Sequence, residues 1–163
     1  AGLVKGKFDL AFVRPPVADP LDYHYLYLDK MVCIAPREFH FRQKGIVTIE
    51  ELQNQTLILS PEGYQYDVKP FFDRHHIVSR SLHTLIDDSS IIALVASGLG
   101  ISILPQMVVE AIPGDVQIMD IQNTPYRTLG VATQKAQFVT PAAKVVLQTI
   151  RDFIHKRYGS GEE

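Results

Sequence analysis

The chain has 163 residues, 46% of them hydrophobic and 21% charged, with 16 basic against 18 acidic side chains and a formal charge of −2. That is enough apolar material for one or two small globular domains, without the basic footprint of a nucleic-acid-binding surface. The single Cys33 excludes an internal disulfide and a cysteine-rich metal site, and no apolar run reaches the ~18–20 residues of a membrane-spanning helix.

The opening residues AGLVKGKFDLAF lack an export signal, so the cytoplasm is the expected compartment. Leu3 to Gly6 reads as the last turn of a helix closed by its glycine, as if an earlier strand and most of a helix had preceded it. Phe8 to Val13 is strand-like, and Arg14-Pro15-Pro16 breaks it. Tyr23–Leu28 and Lys30–Ala35 read as successive parts of one ribbon, with Cys33 as core packing. Pro36 to Gly45 reads as loop, carrying Arg37, His40, Arg42 and Lys44. Thr48-Ile-Glu-Glu51 is a capping box opening a short helix that ends near Asn54.

Thr56–Leu59 is strand-like, and Ser60-Pro-Glu-Gly63 turns the chain. Pro70 is tolerable only in the first turn of the helix that follows, so that helix should start near Tyr66, with Asp67 as a plausible cap. Leu82–Ile86 suits a buried strand. Asp87 to Ser90 supply N-cap side chains in a row, and Ile91, Leu94 and Val95 fall at helical spacing. Gly98 can end that helix, and Ile101–Leu104 reads as a buried strand stopped by Pro105. Strand, helix and strand packed this tightly imply a crossover in a parallel sheet, with ligands beyond the carboxyl ends of the strands. Gln106–Ala111 is a short helix, Val116–Ile121 and Tyr126–Thr133 are strands, and Thr140-Pro141 starts the last helix. Its apolar face is read as Val146, Ile150, Phe153 and Ile154, ending near Tyr158. Chain crossings near Ile34–Pro36 and Gln122–Arg127 suggest two α/β lobes with a cleft: residues 1–36 with 123–158, and 37–122. Residues 159–163 form a polar tail expected to be disordered.

Four stretches resemble the effector-binding, or regulatory, domain of LysR-type transcriptional regulators. They are Gly6-Lys-Phe-Asp9-Leu-Ala11, the strand pair Leu26 to Ala35, the helix and strand Ile49 to Leu59, and above all Val95-Ala-Ser-Gly-Leu-Gly-Ile-Ser-Ile-Leu-Pro105. The resemblance covers about residues 2 to 156. It implies a type 2 periplasmic-binding-protein-like fold, with Rossmann-like lobes joined by two crossings. It also implies a small-molecule effector, often an anion, whose binding alters DNA contacts made by a helix-turn-helix domain not present in this chain. The family's first strand and most of its first helix are also absent here. A homodimer or tetramer is implied for the full-length regulator, and this segment is expected to touch neither DNA nor a membrane.

Among candidate effector contacts, Gly63, Tyr64 and Gln65 can offer backbone N–H groups and Ser60 a hydroxyl, with Pro61 in the same turn. Glu62 should face outward. Asp87 and Asp88 are better read as helix caps than as a catalytic acid pair, while Ser89 and Ser90 could still face a ligand. Arg14 can clamp a carboxylate, its loop fixed by Pro15, or it can pair with Asp9, Asp19 or Asp22. Arg127 is a weaker candidate. His75 and His76 are adjacent on a helix and point apart, so no metal is expected, and no cofactor either. The chain carries no catalytic signature, and Gly98-x-Gly100 lacks the third glycine of a dinucleotide fingerprint. The alternatives to a sensor are a solute-binding protein of a transporter and an enzyme on the same fold.

Overall fold

The computed structural model describes residues 2–43 and 45–159. The expectation for the tail at 160–163 and the place of Lys44 in its loop lie outside the described residues. The chain divides into two compact units, Ala1–Asp29 with Thr128–Glu163, and Lys30–Arg127. The divisions fall within strands, at Asp29–Lys30 and at Arg127–Thr128. A strand passing from one unit to the next needs no glycine, proline or change of composition to mark the place.

The first unit opens on a helical turn closed at Gly6, which has φ +68°. The Gly6 N–H donates to the Leu3 carbonyl at 3.1 Å and the Lys7 N–H to that of Gly2 at 2.9 Å. These nested bonds are the two that satisfy the last carbonyls of a Schellman helix end. Strand β1 (Leu10–Val13) pairs antiparallel with the end of β8 (Tyr126–Thr133), Leu10 opposite Thr133.

The last helix, α6 (Pro141–Tyr158), starts as its sequence requires, with Thr140 accepting from the Ala143 N–H at 3.2 Å. Its inner face corrects the sequence reading. Ala143 and Leu147 are buried and Ile150 and Ile154 half-buried, whereas Val146 and Phe153 are exposed. The helix is apolar along two neighbouring stripes, and the small Ala143 favours close approach on one of them. There Leu147 packs with Leu26 and Val131.

A polar clasp adds to this docking. His24 lies on β2 (Asp22–Pro36). Its Nε2 is 2.9 Å from the buried Thr133 hydroxyl, and its Nδ1 is 3.1 Å from an Arg151 guanidinium nitrogen. Guanidinium can only donate, so Nδ1 must be the acceptor and His24 the neutral Nε2–H tautomer. Thr133 in turn donates to the Gln134 carbonyl at 2.9 Å. Burial first, then the Arg151 charge, hold the His24 pKa below its usual value, against the opposing pull of Asp22.

In the second unit the latter half of β2 lies between β6 (Ser102–Pro105) and β7 (Val116–Ile121), antiparallel to both. The short β3 (Ile46–Val47) extends this sheet parallel to β7. The Asp120 and Gln122 N–H groups donate to the β3 side, at Gly45 and Val47. Alternation then sends the hydrogen bonds of Gln117 and Met119 to β2, and those of β2 to β6 through Val32 and Ile34. Met31 and Pro105 consequently form a non-hydrogen-bonded pair, which is why a proline fits inside this strand.

Beside this sheet β4 (Thr56–Leu59) and β5 (Ser81–Thr84) run parallel. Ile101 bridges to Leu57 in parallel, with its N–H on Thr56 O at 2.9 Å. The parallel crossover expected around α4 (Asp88–Ala96) is thus present at Ile101. Its continuation, Ser102–Pro105, turns over to an antiparallel partner. Gly100 allows the approach, since a Cβ there would lie 2.4 Å from the Thr56 carbonyl oxygen.

Two further expectations are corrected. Leu82, His83 and Thr84 are exposed, not buried, because among the described residues β5 pairs on one side only. The helix before β5 begins at Pro61 rather than near Tyr66. It runs as α2 (Pro61–Gly63), a π-helical turn (Tyr64–Val68) and α3 (Lys69–Arg74). Pro70 has no N–H and would crowd a carbonyl of the preceding turn. The Lys69 N–H reaching back to Tyr64 O widens the coil where that proline must fit.

The capping box of α1 (Ile49–Leu52) forms as read. The core contains Cys33, whose thiol is pushed up to about 12 by burial, with the Glu51 charge adding to it. A buried thiol in this state is packing, not a nucleophile.

Candidate functional site

Because β4 and β5 are parallel neighbours, the segments leaving their carboxyl ends emerge side by side. The Leu85 N–H donates to the Leu59 carbonyl at 3.1 Å, tying the two exits together. Ser60–Gln65 and Asp87–Ser90 are therefore brought to one edge of the second unit. Arg14 and Pro15 follow β1 in the first unit.

Ser60 is an N-cap with extended backbone, and its Oγ accepts from the Gly63 N–H at 3.0 Å. Gly63 is required by that cap, since a Cβ would meet Ser60 Oγ at 2.8 Å. The Tyr64 N–H is taken by the Ser60 carbonyl at 2.9 Å. The amides of Gly63 and Tyr64 expected to grip an anion are thus already engaged locally. What the turn presents instead is side chains: the half-buried Tyr64 ring and the exposed Gln65 amide, with Glu62 facing outward as read. Among the described residues Gln65 makes no side-chain hydrogen bond. A π-helical turn at such a place is a frequent accompaniment of functional sites.

Helix α4 is capped by its own carboxylate. Asp87 Oδ1 accepts from the Ser90 N–H at 2.8 Å and from the Ser89 hydroxyl at 2.5 Å. These hydroxyls, Ser89 foremost, together with the Ser90 amide, hold the Asp87 pKa at about 2. Ser89 and Ser90 consequently surround a fixed negative charge, and the capping reading of Asp87 holds in the structure. Ile86, immediately before it, is 96% exposed. The sequence reading placed Ile86 in a buried strand, whereas β5 ends at Thr84 and Ile86 lies on the surface. The one available signal was its position just ahead of a run of capping residues.

His75 and His76 lie side by side just past the end of α3. The His75 ring packs against that of Phe71, tilted by 58° with centroids 4.8 Å apart, and His76 sits at φ +53° beyond the helix end. Among the described residues no group of three histidine, cysteine or acidic side chains could hold a metal ion.

The family model for the LysR substrate binding domain matches residues 1–154. The chain belongs to the LysR substrate-binding-domain family. Among its relatives, an HTH-type transcriptional activator of Synechocystis, CmpR, is 26% identical over 152 residues, 90% of this chain and 49% of the activator. An uncharacterized HTH-type regulator of Bacillus subtilis, YwqM, is 31% identical over 113 residues, 66% of this chain and 38% of that protein. The chain therefore spans about half or less of the relatives it matches.

Solved structures share the fold. The Synechocystis CcmR regulatory domain in complex with 2-PG superposes with a TM-score of 0.81 at 24% identity, over 96% of this chain and 78% of the other. The BenM effector-binding domain with benzoate gives 0.82 at 18% identity, over 99% and 76%. The QuiR effector-binding domain with shikimate gives 0.77 at 20%, over 96% and 77%. The type 2 periplasmic-binding-like fold is that of these LysR-type domains. No described helix is long and apolar enough to cross a membrane.

Proposed function

We propose that this chain is the sensing part of a bacterial regulator that acts in the cytoplasm and carries its DNA-binding helix-turn-helix in a domain outside this sequence. It turns over no substrate; its effector is a small organic anion with an apolar body. The observation that carries this reading is the pairing of β4 with β5, which lays Ser60–Gln65 beside Ile86–Ser90. The related domains solved with 2-PG, shikimate and benzoate support a small-molecule effector.

On this reading Ser60, Pro61, Gly63, Tyr64, Gln65, Ser89 and Ser90 are the effector-contacting residues of the second unit, and Arg14 with Pro15 those of the first. With Gly63, Tyr64 and Ser90 amides engaged by the chain itself, recognition passes to side chains. Gln65 and the Ser60 hydroxyl supply hydrogen bonds, and Ile86 and Tyr64 supply apolar contact. Asp87 repels anions that approach the α4 start, which favours ligands with a single, well-placed charge. On this reading the full-length regulator is a homodimer or tetramer, and the effector acts by preferring one of its arrangements.

The test is a melting-temperature panel of small carboxylates on the full-length regulator. At least one is expected to raise the melting temperature in proportion to log concentration. Gln65→Ala should weaken that response while leaving the unliganded melting temperature unchanged, and Arg14→Gln should weaken it as well. A panel without any responder, or responders indifferent to both substitutions, would refute the assignment.

A further inference from the structure

Strand β5 has one neighbouring strand among the described residues, β4. The bonds around β4 fix which of its groups point where. The Ile58 N–H donates to the Ile101 carbonyl at 3.0 Å and the Ile101 N–H to that of Thr56 at 2.9 Å, so Thr56 and Ile58 face away from β5. Leu57 and Leu59 therefore face β5, and the Leu85 N–H meets the Leu59 carbonyl at 3.1 Å. In a parallel pair that aligns Leu59 with Thr84, this bond turns His83 and Leu85 inward. The N–H and C=O groups of Leu82 and Thr84 are left on the open side.

Edge strands are commonly blunted by a lysine, a proline or a bulge. This one carries Leu82 near its centre, 36% exposed, and follows Val78, 65% exposed. Its surroundings have one sign of charge. Residues 74 to 86 contain Arg74, His75, His76, Arg80 and His83 and no acidic side chain. The acids that bracket them are engaged elsewhere: Asp73 with Lys69 at 2.5 Å, and Asp87 with Ser89 and Ser90. Arg74, Arg80 and His83 are exposed, and among the described residues their side chains make no hydrogen bond or ion pair.

We propose that the β5 edge is a docking site for an extended acidic segment of a partner protein, added to the sheet as a further strand. Two donors and two acceptors in a row, at Leu82 and Thr84, ask for a peptide backbone. Leu82 on one face of the strand and His83 on the other ask for alternating apolar and acidic side chains, because successive residues face opposite ways. Unpaired Arg80 beside the strand favours the same charge. A second copy of this chain does not fit, since pairing β5 with itself would bring both sets of basic side chains together with no acid between them. The edge runs along the side of β5, apart from the segments past its carboxyl end, and the proposal does not rest on the effector reading.

The test uses a capped hexapeptide alternating valine and glutamate, added to the whole 163-residue chain and followed by amide NMR and calorimetry. Binding is expected to slow hydrogen exchange at the Leu82 and Thr84 amides, while the inward His83 amide changes little. The same peptide with lysine for glutamate, or with alternate backbone nitrogens methylated, should bind at least about tenfold more weakly. Leu82→Pro removes an outward N–H and should abolish binding. Arg80→Glu, a surface change that leaves the backbone intact, should weaken it. The proposal is overturned if the methylated peptide binds as well as its parent, or if the valine–glutamate peptide leaves Leu82 and Thr84 unprotected. It is also overturned if these two amides become protected without peptide as the protein concentration rises, which would make the edge a contact between copies.

Discussion

The two units are stabilised in different ways. The second has two extensive buried clusters, one around Met31, Leu57, Phe72 and Ile103, the other around Val32, Ile34, Ile91 and Val95. The first has a small one, Leu26, Val131 and Leu147, while Phe8, Phe12, Val145 and Phe153 stay exposed. Burial of a large aliphatic side chain is worth about 1.5–3 kcal/mol, so the second unit rests on packing. The first relies more on polar fastenings: Arg151 to His24, Thr133 to Gln134 and the Thr140 cap. The lesson is that pH and charge substitutions should act mainly on the first unit, and cavities mainly on the second.

The largest contrast should come from truncating aliphatic side chains. Leu57→Ala, in the densely enclosed core, is expected to cost about 3–5 kcal/mol, and Leu147→Ala, on the thinner one, about 2–3 kcal/mol. Urea unfolding of both variants checks the order; equal costs would remove the distinction. Next in size is the turn that opens α2. Ser60→Ala should cost about 1 kcal/mol through loss of the cap, and Gly63→Ala should also destabilise because it collides with the Ser60 hydroxyl.

A finer test uses acid. The Asp87 pKa is lowered in the folded chain, so its contribution is fully present above about pH 4 and is lost as pH falls toward about 2. Asp87→Asn keeps a capping side chain and should flatten the melting-temperature profile across that window. The smallest effect is at His24, whose pKa is depressed on folding. The unfolded chain takes up the proton first, so stability falls as pH drops below the usual histidine value of about 6.5. Arg151→Ala should raise the His24 midpoint in an NMR titration, because it removes a neighbouring positive charge; an unchanged midpoint would disconnect the clasp from α6.

Local chemistry was legible in the residues themselves. The capping box at Thr48–Glu51, the Schellman end at Gly6, the Thr140-Pro141 helix start, the Asp87 cap and the strand β8 all lie where the sequence put them. So did family membership, carried by the run from Val95 to Pro105. Each depends on a few consecutive residues satisfying their own backbone groups, which is information a short window contains.

What the sequence by itself determined is therefore most of the elements, the caps at Thr48, Asp87 and Thr140, and the family; the cap expected at Asp67 is instead made by Ser60. Only the tertiary structure decided which face of α6 turns inward, that β5 has a single neighbour and leaves Leu82 and Ile86 exposed, and that a π-helical turn admits Pro70. It also decided that the amides of Gly63 and Ser90 are claimed by Ser60 and Asp87 before any ligand arrives. Those outcomes depend on partners far away in the chain or on competition between local acceptors and a ligand, and periodicity records neither.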